Sequence, residues 1–356
     1  MKVAFIARST LHEVHGGITV QVIETAKHLR ELGVNVTVHL ANEKINYNAY
    51  DLFHFFDITR PANILYHISR LKKPFVLTPI LIDYSEYDKQ YRQGISGFIF
   101  RLVSPDTNEY IKAILRWLLK KDKLQSKNYI WKGHKKSIRY ILENVSMILP
   151  NSKAEYDKLK KLYKIGKPYS VVYNGIDKKI FFSNPVIKEE NLVVCAARIE
   201  GIKNQVNLIK ALNDTNFKLV LIGQHTQNQK KYYRLCRRLA SDNVEFTGKL
   251  SQEEVANYYK KAKVHVLPSW FETCGLSSLE AAAMGCNIVI TDKGFTREYF
   301  GEDAFYCEPG NIESIYEAVN KASKSFPQKK LQEKVLREYT WEQTAIQTLE
   351  AYKKII

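Results

Sequence analysis

Short, uninterrupted apolar runs recur along this chain, each followed by a stretch with helical spacing, and the whole pattern starts over about halfway. Residues 3–7, 34–40, 50–56, 74–78 and 146–150 read as strands, the first of them apolar throughout. A turn at Gly16-Gly17 leads into a helix expected over 18–32 that stops at Gly33. Strands buried on both faces belong to a parallel sheet covered by its crossover helices, so the first half is α/β. Beyond the polar stretch 177–191, strands are expected at 192–197, 218–222, 244–247, 264–267 and 288–291, with helices over 204–212, 251–261 and about 276–284. Ser251 and Glu254 have the spacing of a capping box. The 356 residues exceed what one core usually organises, and two α/β domains follow.

Charge narrows the partners. Lys and Arg number 54 against 37 Asp and Glu, a net +17 that points to a phosphate-rich ligand, a nucleic acid or an anionic membrane. The excess sits in the first half, with 28 basic and 15 acidic residues through position 170, and it peaks over 112–139, where ten basic residues face one acid. No helix-turn-helix, zinc finger, KH loop or RNP sequence accompanies it, which argues against nucleic acid. The segment 110–121 mixes an apolar face, Trp117 and cations, and the apolar stretch 95–103 is near in sequence. It reads as a helix in a membrane interface or, equally, as a core-packed helix with a solvated Lys face. Five cysteines without CxxC or Cys/His spacing give no zinc site, and no apolar stretch reaches 18 residues. The expected location is the cytoplasm, with the cytoplasmic face of the membrane as a second expectation.

Neither half contains GxGxxG or GxxxxGK[ST], so a phosphate loop must come from elsewhere. The stretch 267–285 offers one. It leaves a strand, passes Glu272, Cys274 and Gly275, and enters a helix of small residues at Leu276. The amides at that helix start suit a diphosphate. Glu272 is placed to reach a sugar-like polyol and Glu280 to accept from ribose hydroxyls; the plainer alternative is a capping Glu and a solvated one.

The stretch closely resembles the E-x7-E element of the retaining GT-B glycosyltransferases of family GT4. Cys195-Ala-Ala-Arg198-Ile-Glu-Gly-Ile-Lys203-Asn is similar to that family's G-R-x4-K-G donor loop, with Ala197 and Asn204 at two glycine positions. Gly16-Gly17-Ile18 resembles its N-terminal glycine loop, 172–177 the segment leading into its interdomain linker, and 339–354 its returning C-terminal helix.

The resemblance implies a GT-B fold of two Rossmann-like domains, 1–173 for the acceptor and 174–339 for the donor, with a helix at about 340–356 packing back on the first. It implies sugar transfer from a UDP- or GDP-type nucleotide sugar to a glycan or lipid-linked acceptor, with retention of configuration. Arg198 and Lys203 would stabilise the leaving phosphate, Glu272 position the sugar, and Gly16, Gly17, Cys274, Gly275, Leu276 and Glu280 hold the donor. No cofactor or metal is expected, since no DxD sequence occurs. Many relatives carry a His soon after the fourth strand; here Asp83 is the nearest polar candidate, either catalytic or a helix cap. His54 and His67 read as structural. A non-catalytic nucleotide- or glycan-binding protein on the same scaffold is the alternative, which the missing His favours and the intact charged set opposes.

Overall fold

The computed structural model describes residues 1–13, 16–90, 104–119, 124–182 and 186–356. Residues 95–103, and Lys120, Lys121 and Lys123 of the basic stretch 112–139, lie outside the described residues. The chain divides into two compact units, Met1–Tyr173 with Trp341–Ile356, and Asn174–Thr340.

Unit 1 runs β1 (Lys2–Ala7), α1 (Gly17–Glu31), β2 (Asn35–Leu40), β3 (Leu52–Phe56), α2 (Pro61–Ile68), β4 (Phe75–Thr78), α3 (Ser85–Gln90), α4 (Pro105–Leu118), α5 (Asn128–Asn144), β5 (Met147–Ile148) and α6 (Lys153–Tyr163). Its five strands are parallel in the order β2-β1-β3-β4-β5. Within 112–139, α4 runs to Leu118 and α5 starts at Asn128; α5 is kinked at Gly133, whose φ of 71° and ψ of 176° are not helical. The core packs Val3, Phe5 and Ala7 of β1 against Val22, Ala26 and Leu29 of α1.

Unit 2 runs β6 (Glu189–Ala196), α7 (Gln205–Leu212), β7 (Lys218–Ile222), α8 (Lys230–Leu239), β8 (Val244–Gly248), α9 (Gln252–Lys261), β9 (Ala262–Leu267), α10 (Leu276–Ala283), β10 (Asn287–Thr291), α11 (Thr296–Phe300), β11 (Phe305–Cys307), α12 (Ile312–Lys324) and α13 (Lys329–Glu338). Its parallel sheet has the order β11-β10-β9-β6-β7-β8, which is the order of a dinucleotide-binding domain. Ser251 and Glu254 form the reciprocal capping box at the start of α9.

The last helix, α14 (Trp341–Lys353), belongs to unit 1, where Ala345, Ala351 and Tyr352 enter the core beside α1. His54 of β3 bonds to the Tyr352 hydroxyl at 2.6 Å and to Thr78 Oγ1 at 2.7 Å. Burial pushes its imidazole down to about 3, so it is a neutral core residue, as its sequence context implied. His67 is likewise held by the Tyr47 hydroxyl and the Ala41 carbonyl.

Candidate active site

The chain of unit 2 winds outward from β6 through β7 to β8, then returns to β9 on the other side of β6. Loops 197–204 and 268–275 therefore leave the C-terminal ends of neighbouring strands at a topological switch point, where open parallel sheets hold ligands. Arg198 and Lys203 lie on the first loop; Glu272, Cys274 and Gly275 lie on the second. Two ties bind the loops together. Trp270 N donates to Ile202 O at 2.9 Å, and Asn204 Nδ2 donates to the carbonyls of Pro268 at 3.0 Å and Pro309 at 2.8 Å. Asn204 has φ 61°, left-handed backbone that Asn tolerates best after Gly. The position is thus one that glycine would occupy without strain, and the Asn204 side chain adds a clamp that glycine lacks.

Lys203 Nζ lies 2.5 Å from Glu272 Oε1, and Glu272 is 7% exposed. Burial alone would lower the ammonium's pKa; the Glu272 carboxylate outweighs it and holds the group above its ordinary value. Arg198 Nη2 pairs with Glu200 Oε1 at 2.8 Å, while Gln205 Nε2 donates to the Arg198 carbonyl. The backbone of Glu272 is fixed from the next loop: its N–H donates to Lys293 O at 3.1 Å and its carbonyl accepts from Phe295 N at 3.0 Å. Between them Gly294 has φ 108°, and a Cβ there would lie 1.9 Å from Glu272 O, so no other residue fits without moving the loop.

Gly275, at φ 71°, turns the chain into α10, and a Cβ on it would meet Ile290 Cδ1 at 2.9 Å. The amides of Leu276 and Ser277 open the helix with no carbonyl one turn earlier to bond, at the positive end of the helix dipole. Buried Leu279 and Ala281–Ala283 seat α10 on the sheet, and Ser278 Oγ bonds to His265 Nε2 at 3.1 Å. Glu280 stands one turn further along, partly buried, and burial pushes its carboxyl up to about 8. Cys274 Sγ accepts from Asn174 Nδ2 at 3.3 Å, and burial raises its thiol to about 12, which leaves the backbone as its means of contacting a ligand.

Gly16, Gly17 and Asp83 belong to unit 1. Gly16 caps α1 at the C-terminal side of β1 with φ −179°, extended backbone open to any residue, so conformation does not require glycine there. Asp83 accepts from Ser85 N at 2.9 Å and pairs with Lys158 Nζ at 2.8 Å. Burial acts to raise its carboxyl, but those partners prevail and hold it below the usual range. Sequence reading did not find Asn174, Glu200, Gln205 or Gly294. For the first three the signal lies in long-range or side-chain bonds with no motif; for Gly294 it is a glycine three residues beyond a strand.

Residues 176–338 match the model of the family described as glycosyl transferases group 1. Among curated proteins the chain is similar to two uncharacterized glycosyltransferases of Methanocaldococcus jannaschii. One is 28% identical over 55% of this chain and 54% of the relative; the other is 23% identical over 96% and 95%. Alpha-monoglucosyldiacylglycerol synthase of Streptococcus pneumoniae is 27% identical over 46% of this chain and 44% of that protein. The first of these matches, like that to the Streptococcus protein, spans about half the relative's length. Among solved structures, sucrose-phosphate synthase from Thermosynechococcus elongatus superposes with a TM-score of 0.77 at 17% identity, over 99% of this chain and 98% of the other. Anabaena Alr3699/HepE in complex with UDP-glucose does so with a TM-score of 0.73 at 16% identity, over 99% and 100%. The family model thus describes residues 176–338, nearly all of unit 2, and the two parallel-sheet units share the fold of the GT-B glycosyltransferases.

Proposed function

We propose that this chain transfers a sugar from a UDP- or GDP-type nucleotide sugar to a glycan or lipid-linked glycan acceptor, in polysaccharide or glycolipid synthesis, with retention of anomeric configuration. The observation that carries the reading is the 2.5 Å contact between Lys203 and Glu272, at the switch point of unit 2 and on the loop that opens α10. As the sugar–phosphate bond breaks, negative charge grows on the departing nucleoside diphosphate. Fixed cations and amides aimed at that charge lower the barrier. The ammonium of Lys203 has three donors and the Glu272 bond uses one of them. Arg198 and the amides of Leu276 and Ser277 complete the set, Glu272 orients sugar hydroxyls, and Glu280 accepts from ribose. A leaving phosphate oxygen takes the proton of the incoming hydroxyl on the same face, so no protein nucleophile is required. These fixed groups also take the part that a divalent ion plays elsewhere, and the reaction needs no metal.

The name of the Streptococcus relative and the charge of unit 1 favour a lipid-linked acceptor. No helix among the described residues is long and apolar enough to cross a membrane. Leu118 and Trp131, 61% and 88% exposed, suit contact with a bilayer surface. A screen of UDP- and GDP-sugars tests the proposal, with hydrolysis and calorimetric binding as readouts and the product anomer assigned by NMR. Turnover of one donor with retained configuration is the expected result. Binding without turnover of any donor or acceptor would make the chain a sugar-nucleotide binding protein instead.

A further inference from the structure

Unit 1 contains a cavity of about 40 Å3, open on one side, apart from the loops described above. Thr59, Arg60 and Pro61 line it from the start of α2, Arg116 and Trp117 from the end of α4, and Tyr129 from α5. Because α2 follows β3, and β1 and β3 flank the switch point of this sheet, the cavity lies at the C-terminal, ligand-binding edge of the strands. Among its described lining residues the charged ones are Arg60 and Arg116. The positive end of α2 opens into the same lining, with no side-chain cap from Arg60.

The space fits a small anion. About 40 Å3 of accessible space, open to solvent, leaves room for a small charged group between the Arg60 and Arg116 side chains. One wall is apolar, formed by Pro61 and the ring of Trp117. Past Trp117 on the same helix end, Leu118 and Leu119 are 61% and 62% exposed.

We propose that this cavity binds the phosphoryl group of the lipid-linked acceptor, with Arg60 and Arg116 on the phosphate and Trp117 along the first carbons of the lipid chain. Arginine suits the task because its planar fork matches phosphate oxygens, and a guanidinium stays charged at any working pH. The assignment rests on the acceptor reading given under Proposed function and deepens it by locating the acceptor's anionic group.

Calorimetry on the full chain with three soluble probes tests it: octyl phosphate, inorganic phosphate and octyl glucoside. Octyl phosphate should bind, inorganic phosphate at least about tenfold more weakly, and octyl glucoside not measurably. Arg116→Gln with Arg60→Gln should weaken octyl phosphate by about tenfold or more, and Arg116→Lys by less, at unchanged thermal midpoint. Trp117→Ala should reduce the difference between the two phosphates. Equal affinity for both phosphates would identify a free-phosphate site and overturn the lipid assignment. Octyl phosphate binding that survives loss of both arginines would overturn the site itself. Donor turnover by the wild type is read separately: its absence would remove the transferase reading, while the phosphate titration would still decide the cavity.

Discussion

Glu280 should make nucleotide binding depend on pH in a defined direction. In the ligand-free protein burial raises its carboxyl to about 8. A carboxylate accepts from two ribose hydroxyls only when ionised, whereas the protonated acid carries a donor of its own. Binding therefore selects the ionised form and releases a proton. With a free-state pKa of about 8, roughly one molecule in 100 is ionised at pH 6 and about half at pH 8, so affinity should rise on the order of 50-fold across that interval, or about 2 kcal/mol. Titration calorimetry at pH 7 in two buffers of different ionisation enthalpy should count about 0.9 proton released. The ligand's own phosphate also ionises in this range and works in the same direction, so the comparison needed is with Glu280→Gln. That variant keeps one acceptor and loses the titration, and its pH slope belongs to the ligand alone. Identical slopes and proton counts in the two proteins would refute the placement of Glu280 beside the ribose.

Lys203→Ala and Arg198→Ala should each lower kcat/KM by roughly 100-fold or more, because both cations act on charge that develops in the transition state. The thermal midpoint is measured alongside, since the first change leaves buried Glu272 without its partner. Gly294→Ala should cost transfer activity through displacement of Glu272, and near-normal kcat in the folded variant would show that the loop can yield. His54 and His265, whose pKa values burial lowers to about 3, stay neutral in the folded chain while unfolded imidazole protonates near 6.5. Stability from each should therefore fall as pH drops below about 6.5, by roughly 2 kcal/mol at pH 5, and His54→Gln should flatten the pH dependence of denaturant unfolding. Vesicle co-sedimentation should increase with anionic lipid and fall with salt, and glutamates at Lys120, Lys121 and Lys123 should release the protein; indifference to anionic vesicles at low salt would end the membrane reading.

What the sequence disclosed and what it hid follow from how local each determinant is. The apolar runs of β1, β7 and β10 declare themselves because a strand buried on both faces has no polar residue to obscure it, and the boundaries expected at 218–222 coincide with those of β7. The short strand β11 and the helices α12 and α13 went unread, since three residues of strand carry little pattern. The kink at Gly133 was hidden inside a run with helical charge spacing. At the site, Arg198, Lys203, Glu272 and Glu280 were singled out through the resemblance to the GT4 motifs. The Lys203–Glu272 contact was not, because it joins residues 69 apart through the parallel pairing of β6 with β9. Asn204 looked like a departure from a glycine pattern, yet it lies in left-handed backbone of the kind glycine adopts freely.

The return of α14 to unit 1 has a consequence for how the chain is made. His54 and its partner Tyr352 are 298 positions apart, and the whole of Asn174–Thr340 is synthesised between them. Unit 2 is contiguous and has its full set of strands once Thr340 has emerged. Unit 1, although first to leave the ribosome, still lacks Ala345, Ala351 and Tyr352 from its core at that moment. At about 5–20 residues per second, the interval from residue 173 to residue 352 lasts roughly 10–40 s, during which the nascent first half shows an apolar surface that nothing yet made can cover. Completion thus runs against the usual N-terminal-first order. A chain interrupted just before Trp341 would release a finished second unit tethered to a sticky, unfinished first one, and the fate of such a fragment would be set by chaperones and proteases rather than by its intact second half.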